Sequence, residues 1–122
     1  MKSALIVDDS GVTRSLIRSA IEEIGDLNTF EASSGFEALK ALPSQSFDVI
    51  IVDINMPDIN GLEIINFVKN NDQYKNVPVV IVSTESSEED RKRGMKLGAF
   101  AYLTKPFTTK ELQDTVKKAL NI

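Results

Sequence analysis

The sequence contains no cysteine and no histidine. The first absence excludes disulfides and thiolate metal sites. The second removes the commonest general base, the usual zinc ligand and any phosphohistidine of the chain's own. Long apolar runs are missing too: nothing approaches the roughly 20 residues a membrane-spanning helix needs. The opening Met1-Lys2-Ser3-Ala4 leads into an apolar stretch too short for the core of a signal peptide, so a cytoplasmic location is expected. Positive charge is not in excess. Against 18 acids stand 14 bases, a net charge of −4, which argues against broad electrostatic binding to nucleic acid. No repeat, linker or low-complexity tract divides residues 1–122. A chain of this length, 42% hydrophobic and 26% charged, reads as one domain that buries roughly two-thirds of its unfolded surface without staples.

Two periods alternate along it. Short runs rich in Val and Ile, at Ala4–Val7, Phe47–Val52, Val77–Val82 and Phe100–Leu103, are mostly continuous rather than alternating. Strands buried on both faces of a parallel sheet read this way. Leu27–Glu31 is a weaker run, expected at an edge. Helical spacing lies between the runs: Val12, Leu16, Ile17, Ala20, Ile21 and Ile24 share one face. Phe36, Leu39 and Leu42 mark a second helix ended by Pro43. A third carries Leu62, Ile65 and Val68, and a last one Leu112, Val116, Ala119 and Leu120. Ser34-x-x-Glu37, Ser86-x-x-Glu89 and Thr108-x-x-Glu111 each have the spacing of a capping box. The fourth helix, about Ser87 to Leu97, is mostly charged, with Glu88–Lys92 and Glu89–Arg93 spaced for ion pairs. Its weak anchoring suits an element that shifts or meets a partner. Five strands alternating with five helices predict an open α/β sheet with helices on both faces.

In such a sheet, ligands bind beyond the carboxyl ends of the strands. Asp8 and Asp9 follow the first run, Asp53 the third, Ser83 and Thr84 the fourth, and Lys105 then Pro106 the last. Each has an ordinary alternative as a helix cap, turn residue, strand end or surface lysine. Together they place three carboxylates, a hydroxyl and an ammonium along one edge. Carboxylates 4 Å apart repel by about 4 kcal/mol per pair at an effective dielectric near 20, so the cluster needs a cation or must hold protons. Hard oxygen ligands alone select Mg²⁺, with Mn²⁺ possible. A carboxylate beside that ion and a lysine is a competent nucleophile for phosphoryl transfer. Asp53, ending the central strand, is the natural choice.

The segments Leu5-Ile6-Val7-Asp8-Asp9-Ser10, Asp53-Ile54-Asn55-Met56-Pro57 with Asn60-Gly61, Ser83, and Lys105-Pro106-Phe107 together resemble a two-component response regulator receiver domain. The resemblance spans essentially the whole chain. It implies a flavodoxin-like (βα)5 fold with strand order 2-1-3-4-5 and no output domain. It implies that Asp53 accepts a phosphoryl group from a histidine kinase or a histidine phosphotransfer domain. Asp9, Asp53 and the backbone carbonyl of Asn55 would ligate Mg²⁺, with Asp8 acting mainly through water. Ser83 and Lys105 would contact the phosphoryl oxygens, Lys105-Pro106 would be a cis peptide, and Tyr102 would be the switch aromatic, turning inward when Ser83 is drawn toward the phosphoryl group. Asn55 and Glu85 resemble the positions that tune dephosphorylation in stand-alone, CheY-like chemotaxis regulators.

The implied function is a phosphorylation-activated switch. A downstream protein would read the face made by the fourth helix, the last strand and the last helix. By the same resemblance, the kinase would meet the first helix, where Val12, Arg14, Ser15 and Arg18 are expected to be exposed or partly so. A monomer is expected, without membrane insertion. A DNA-binding output is disfavoured, because no basic recognition helix follows. The rival readings are a Mg²⁺-dependent phosphatase working through an aspartyl-phosphate and a phosphorylation-independent binding module. Against the first, Asp53-Ile54-Asn55 lacks a second acid to protonate a leaving group. Against the second, the acidic cluster is complete.

Overall fold

Alternate residues of a strand point to opposite faces, and in this chain both faces are apolar. That decides the architecture. A computed structural model describes residues 1–84 and 88–122. It orders them as β1 (Lys2–Val7), α1 (Gly11–Ile24), β2 (Leu27–Ala32), α2 (Gly35–Ala41), a short 3₁₀ turn (Leu42–Ser44), β3 (Val49–Val52), α3 (Gly61–Lys69), β4 (Val79–Ser83), α4 (Glu88–Leu97), β5 (Ala101–Thr104) and α5 (Thr109–Leu120). The five strands form one parallel sheet in the order β2-β1-β3-β4-β5. This is the expected flavodoxin-like arrangement, with the Leu27 strand at an edge. Helices cover both faces. Ala4, Ile6, Val49, Ile51, Val80 and Val82 pack against Ile17, Ala20 and Ile21 of α1 and Leu112, Val116 and Leu120 of α5. Leu5, Val7, Ile50, Val52, Val79 and Ile81 face Ala38 of α2 and Leu62, Ile65 and Val68 of α3. Each fully buried Ile or Leu contributes about 1.5–3 kcal/mol.

Several expectations are corrected. Leu16 does not join the core: it is 61% exposed, because α1 turns Ile17, Ala20 and Ile21 to the sheet instead, and Val12, on the same arc but expected at least partly exposed, is 73% exposed. Phe36 is likewise exposed, with the Lys40 ammonium 5.5 Å from its ring centroid. The second helix ends at Ala41, and Pro43 sits within the 3₁₀ turn that follows. Thr108 and Glu111 form the complete reciprocal capping box. Ser34 accepts from the Glu37 amide, but the Glu37 carboxylate reaches one residue further back, to the amide and hydroxyl of Ser33. Ser86, and the Ser87 start of the fourth helix, lie outside the described residues. On α4, Arg93 pairs with Asp90 at 3.9 Å, in place of the expected Glu89 pairing. Gly94 is the buried residue of that helix, so α4 is anchored by close backbone approach to Ile81 rather than by an apolar stripe.

One glycine fixes the loop after β3. A Cβ at Gly61 would collide with the Asp53 carbonyl oxygen and meet the Asp53 carbonyl carbon and the Ile54 Cα at 2.9 Å each. These are backbone atoms that cannot move aside. Gly61→Ala is therefore expected to lower stability by about 1–3 kcal/mol, the range for overpacking, read as a fall in the urea midpoint. A midpoint within error of the parent would show that the loop is looser than this geometry requires.

Candidate functional site

Parallel strands bring their carboxyl ends to one edge. Val7 pairs with Val52 and Ser83 with Thr104, the last residues of their strands, while β4 runs two residues past Ile81, the partner of Val52. The residues that follow β1, β3, β4 and β5 then leave the sheet at that edge. The Asp53 amide donates to the Val7 carbonyl and the Lys105 amide to the Ser83 carbonyl, at 3.0 and 2.8 Å. This is why residues 97 positions apart in the sequence can touch.

The Lys105 ammonium donates to Asp8 Oδ2 at 2.8 Å and to Asp53 Oδ2 at 3.4 Å. Asp8, Asp9 and Asp53 each offer a carboxylate oxygen, and these oxygens lie within 4.8 Å of one another. Among the described residues only four polar or charged side chains are buried, and three of them are Asp8, Asp53 and Ser83. Burying charge without compensation is costly, so their convergence at one edge makes this cluster the candidate functional site. The cap of α1 is Ser10, whose hydroxyl accepts from the Thr13 amide. Neither Asp8 nor Asp9 is thus needed as a helix cap.

Each remaining residue has a definite place. Asp9 is exposed at the mouth, and so is Asn55, whose amide donates to Asp53 Oδ1 at 3.2 Å. Ser83, the last residue of β4, hydrogen-bonds the Asp53 carboxylate. The Lys105-Pro106 peptide bond is cis. Tyr102 is already buried, on the same side of the sheet as Ile81, its partner across the ladder. The Arg91 guanidinium lies 5.6 Å from its ring centroid. The ring thus lies on the inward side in this structure. Glu85 lies outside the described residues.

Two contributors escaped the sequence reading. Asp58, in the loop after β3, accepts from the amides of Gly35 and Phe36 at 3.2 and 2.9 Å, tying that loop to the start of α2. The Phe36 amide, then that of Ile59, hold its carboxyl below the usual range. Arg14 on α1 donates to the Asp8 backbone carbonyl at 2.6 Å. Both are side-chain contacts to backbone atoms, across more than twenty residues for Asp58 and six for Arg14, and such contacts leave no spacing signature; the only available signal was an acid and an arginine beside the motif residues.

Burial pushes the Asp53 carboxyl up, aided by the Asp8 charge, against the pull of Lys105, the Asn55 amide and Ser83. Burial pulls the Lys105 ammonium down, but its hydrogen bond to Asp8 and the charges of Asp53 and Asp8 outweigh that, so it is raised. Three carboxylates against one ammonium leave a surplus of negative charge, and every donor is a hard oxygen. That set fits a divalent ion of the Mg²⁺ or Mn²⁺ kind. Metal binding needs the ionised acid. Affinity for Mg²⁺ should therefore fall as pH drops through the raised Asp53 value, at a higher pH than an ordinary aspartate near 3.9 would give. Dissociation constants measured across a pH series check this; affinity that stays flat until about pH 4 would contradict it.

Residues 4–117 match the response regulator receiver domain family. The chain belongs to that family. The chemotaxis protein CheY of Pseudomonas aeruginosa is 33% identical over 114 residues, 93% of this chain and 92% of that protein. CheY1 of Helicobacter pylori is 32% identical over 117 residues, 95% of this chain and 94% of that protein. Among solved structures, the chemotaxis response regulator CheY4 of Vibrio cholerae superposes with a TM-score of 0.90 at 36% identity, covering 98% of this chain and 99% of that one. The Mn(2+)-bound form of response regulator Rcp1 superposes with a TM-score of 0.88 at 26% identity, covering 98% and 95%. CheY-like receiver domains are signalling switches that bind divalent metal. Among the described residues, no helix of this receiver domain is long and apolar enough to cross a membrane.

Proposed function

We propose that this receiver domain is switched by phosphorylation of Asp53, with Mg²⁺ held by Asp8, Asp9, Asp53 and the Asn55 backbone carbonyl. The observation that carries the reading is the Lys105 ammonium bridging Asp8 and Asp53, with Asp9 completing the carboxylate cluster. The donor is a phosphohistidine on a separate kinase or phosphotransfer domain, since the chain has no histidine. An Asp53 carboxylate oxygen attacks phosphorus; the P–N bond breaks and its electrons return to the imidazole nitrogen. Lys105 and the Ser83 hydroxyl hold the phosphoryl oxygens as charge builds on them. A bound divalent ion would supply further neutralisation of that charge. Later attack by water on phosphorus releases phosphate and restores the carboxylate. Asn55, exposed at the mouth, and Glu85 influence how readily that water arrives.

Output is read on the face of α4, β5 and α5. Drawing Ser83 toward the phosphoryl group disturbs β4 beside Tyr102, and Arg91 couples that ring to α4. Because α4 is anchored chiefly through Gly94, modest differential contacts suffice to bias its position.

The donor docks beside the site, where exposed Leu16 lies next to Pro106 and Phe107 and shares the surface of α1 with exposed Val12. Leu16→Glu should slow phosphotransfer from the cognate histidine donor by about tenfold or more, the cost of losing an interface anchor of about 1.4 kcal/mol. Labelling by acetyl phosphate with Mg²⁺ should stay unchanged, because a small donor needs no docking surface. Equal loss with both donors would overturn the docking assignment; Mg²⁺-independent labelling of the parent chain would overturn the site.

A further inference from the structure

We propose that Arg14 is a positioning residue for the metal site, fixing the peptide between Asp8 and Asp9 so that the exposed Asp9 carboxylate points at the ion. This inference rests on the metal-binding reading above. Arg14 Nη1 donates to the Asp8 carbonyl oxygen at 2.6 Å, while its Nε donates to Glu31 Oε1 at 3.0 Å. Glu31 lies on β2 and is held in turn by Arg18 Nη1 at 3.0 Å. The guanidinium is tucked beneath the first residue of α1: a Cβ at Gly11 would stand 3.5 Å from Nη2. Its side chain is only 19% exposed.

The consequence follows from what holds Asp8. Its amide donates to the Ala32 carbonyl, Oδ1 accepts from the Ser10 amide, and Oδ2 accepts from Lys105. These fix the Asp8 side chain and the peptide before it. The peptide after it, whose plane sets the direction of Asp9, is gripped at its carbonyl by Arg14. Only a planar guanidinium anchored through a second nitrogen can hold that carbonyl from α1; a lysine carries the charge but has one donor centre.

The sign of the expected effect separates positioning from simple electrostatics. Removing a cation close to three carboxylates should tighten Mg²⁺ binding if charge alone matters. Loss of alignment should weaken it, as outer contacts of metal ligands typically do by about 10–100-fold. The test is titration of the uniformly ¹⁵N-labelled chain with Mg²⁺ alone, where one spectrum reports both folding and affinity. Arg14→Gln and Arg14→Lys should keep dispersed spectra and raise the Mg²⁺ dissociation constant by about tenfold or more. Glu31→Gln should raise it in the same direction by a smaller factor. Lys110→Gln, a charge removed from an exposed site on α5, should leave it within twofold. Unchanged or tighter binding in either Arg14 variant overturns the proposal. A parent chain that binds no Mg²⁺ overturns the metal reading itself, a result distinct from both.

Discussion

Asp53→Asn is expected to have two opposite effects. Phosphoryl labelling by acetyl phosphate and Mg²⁺ should fall by at least about a thousandfold, since the amide is no nucleophile. The metal-free variant should nevertheless melt a few degrees higher than the parent. The reason is the sign of the Asp53 shift. A group whose folded-state value is raised contributes stability that is present below its unfolded value and lost as pH rises through the folded one. At neutral pH the buried Asp53 charge is therefore a net cost, despite Lys105. Asparagine keeps the shape and removes the charge. Calorimetry in EDTA at pH 7 checks the second effect; a lower melting temperature would mean that the Lys105 contact at 3.4 Å outweighs burial.

Lys105→Met should move both quantities downward. Among the described residues the ammonium is the only cation paired with the two buried carboxylates, and its side chain is 15% exposed. Without it Asp8 and Asp53 face each other with no compensating charge. A loss of about 2 kcal/mol in metal-free stability follows from leaving buried charged groups unsatisfied, or a fall of roughly 8 °C at about 4 °C per kcal/mol. Mg²⁺ should restore part of it, by supplying positive charge to the same oxygens. The labelling rate should remain about 100- to 1,000-fold down even at saturating Mg²⁺, the usual cost of removing one donor to the developing charge. Stability that falls equally with and without Mg²⁺ would separate Lys105 from the metal cluster.

Much of this was legible in the sequence. Short continuous runs of β-branched Val and Ile read as strands covered on both faces, and their alternation with helical patterns points to a parallel sheet with helices on each side. Asp8, Asp53, Ser83 and Lys105 were legible because each follows such a run, and parallel strands align their ends. The limits of the reading are equally physical. Spacing of 3.6 placed Val12 and Leu16 on the same arc as Ile17 and Ile21, but a helix contacts a sheet over only part of that arc. Which apolar residues stay in water depends on how α1 rotates, and that is a tertiary outcome. Glu37 passes over Ser34 to reach Ser33, a choice between two nearby donors that spacing does not resolve. Asp58 and Arg14 act on backbone atoms rather than on partner side chains, so they have no periodicity to betray them. Tyr102 sits inward because it packs on the same side of the sheet as Ile81, a fact of side-chain packing rather than of residue type.

The central claim is that the ends of β1, β3, β4 and β5 converge so that one carboxylate among three takes a phosphoryl group with a divalent ion present. The most direct test is to treat the unmodified chain with acetyl phosphate, with and without Mg²⁺, and to map the adduct by peptide mass spectrometry. The account predicts a single hydroxylamine-labile phosphoryl group on the peptide containing Asp53, formed only with Mg²⁺. An adduct on Asp8, Asp9 or a hydroxyl side chain, or one formed equally well in EDTA, would contradict it.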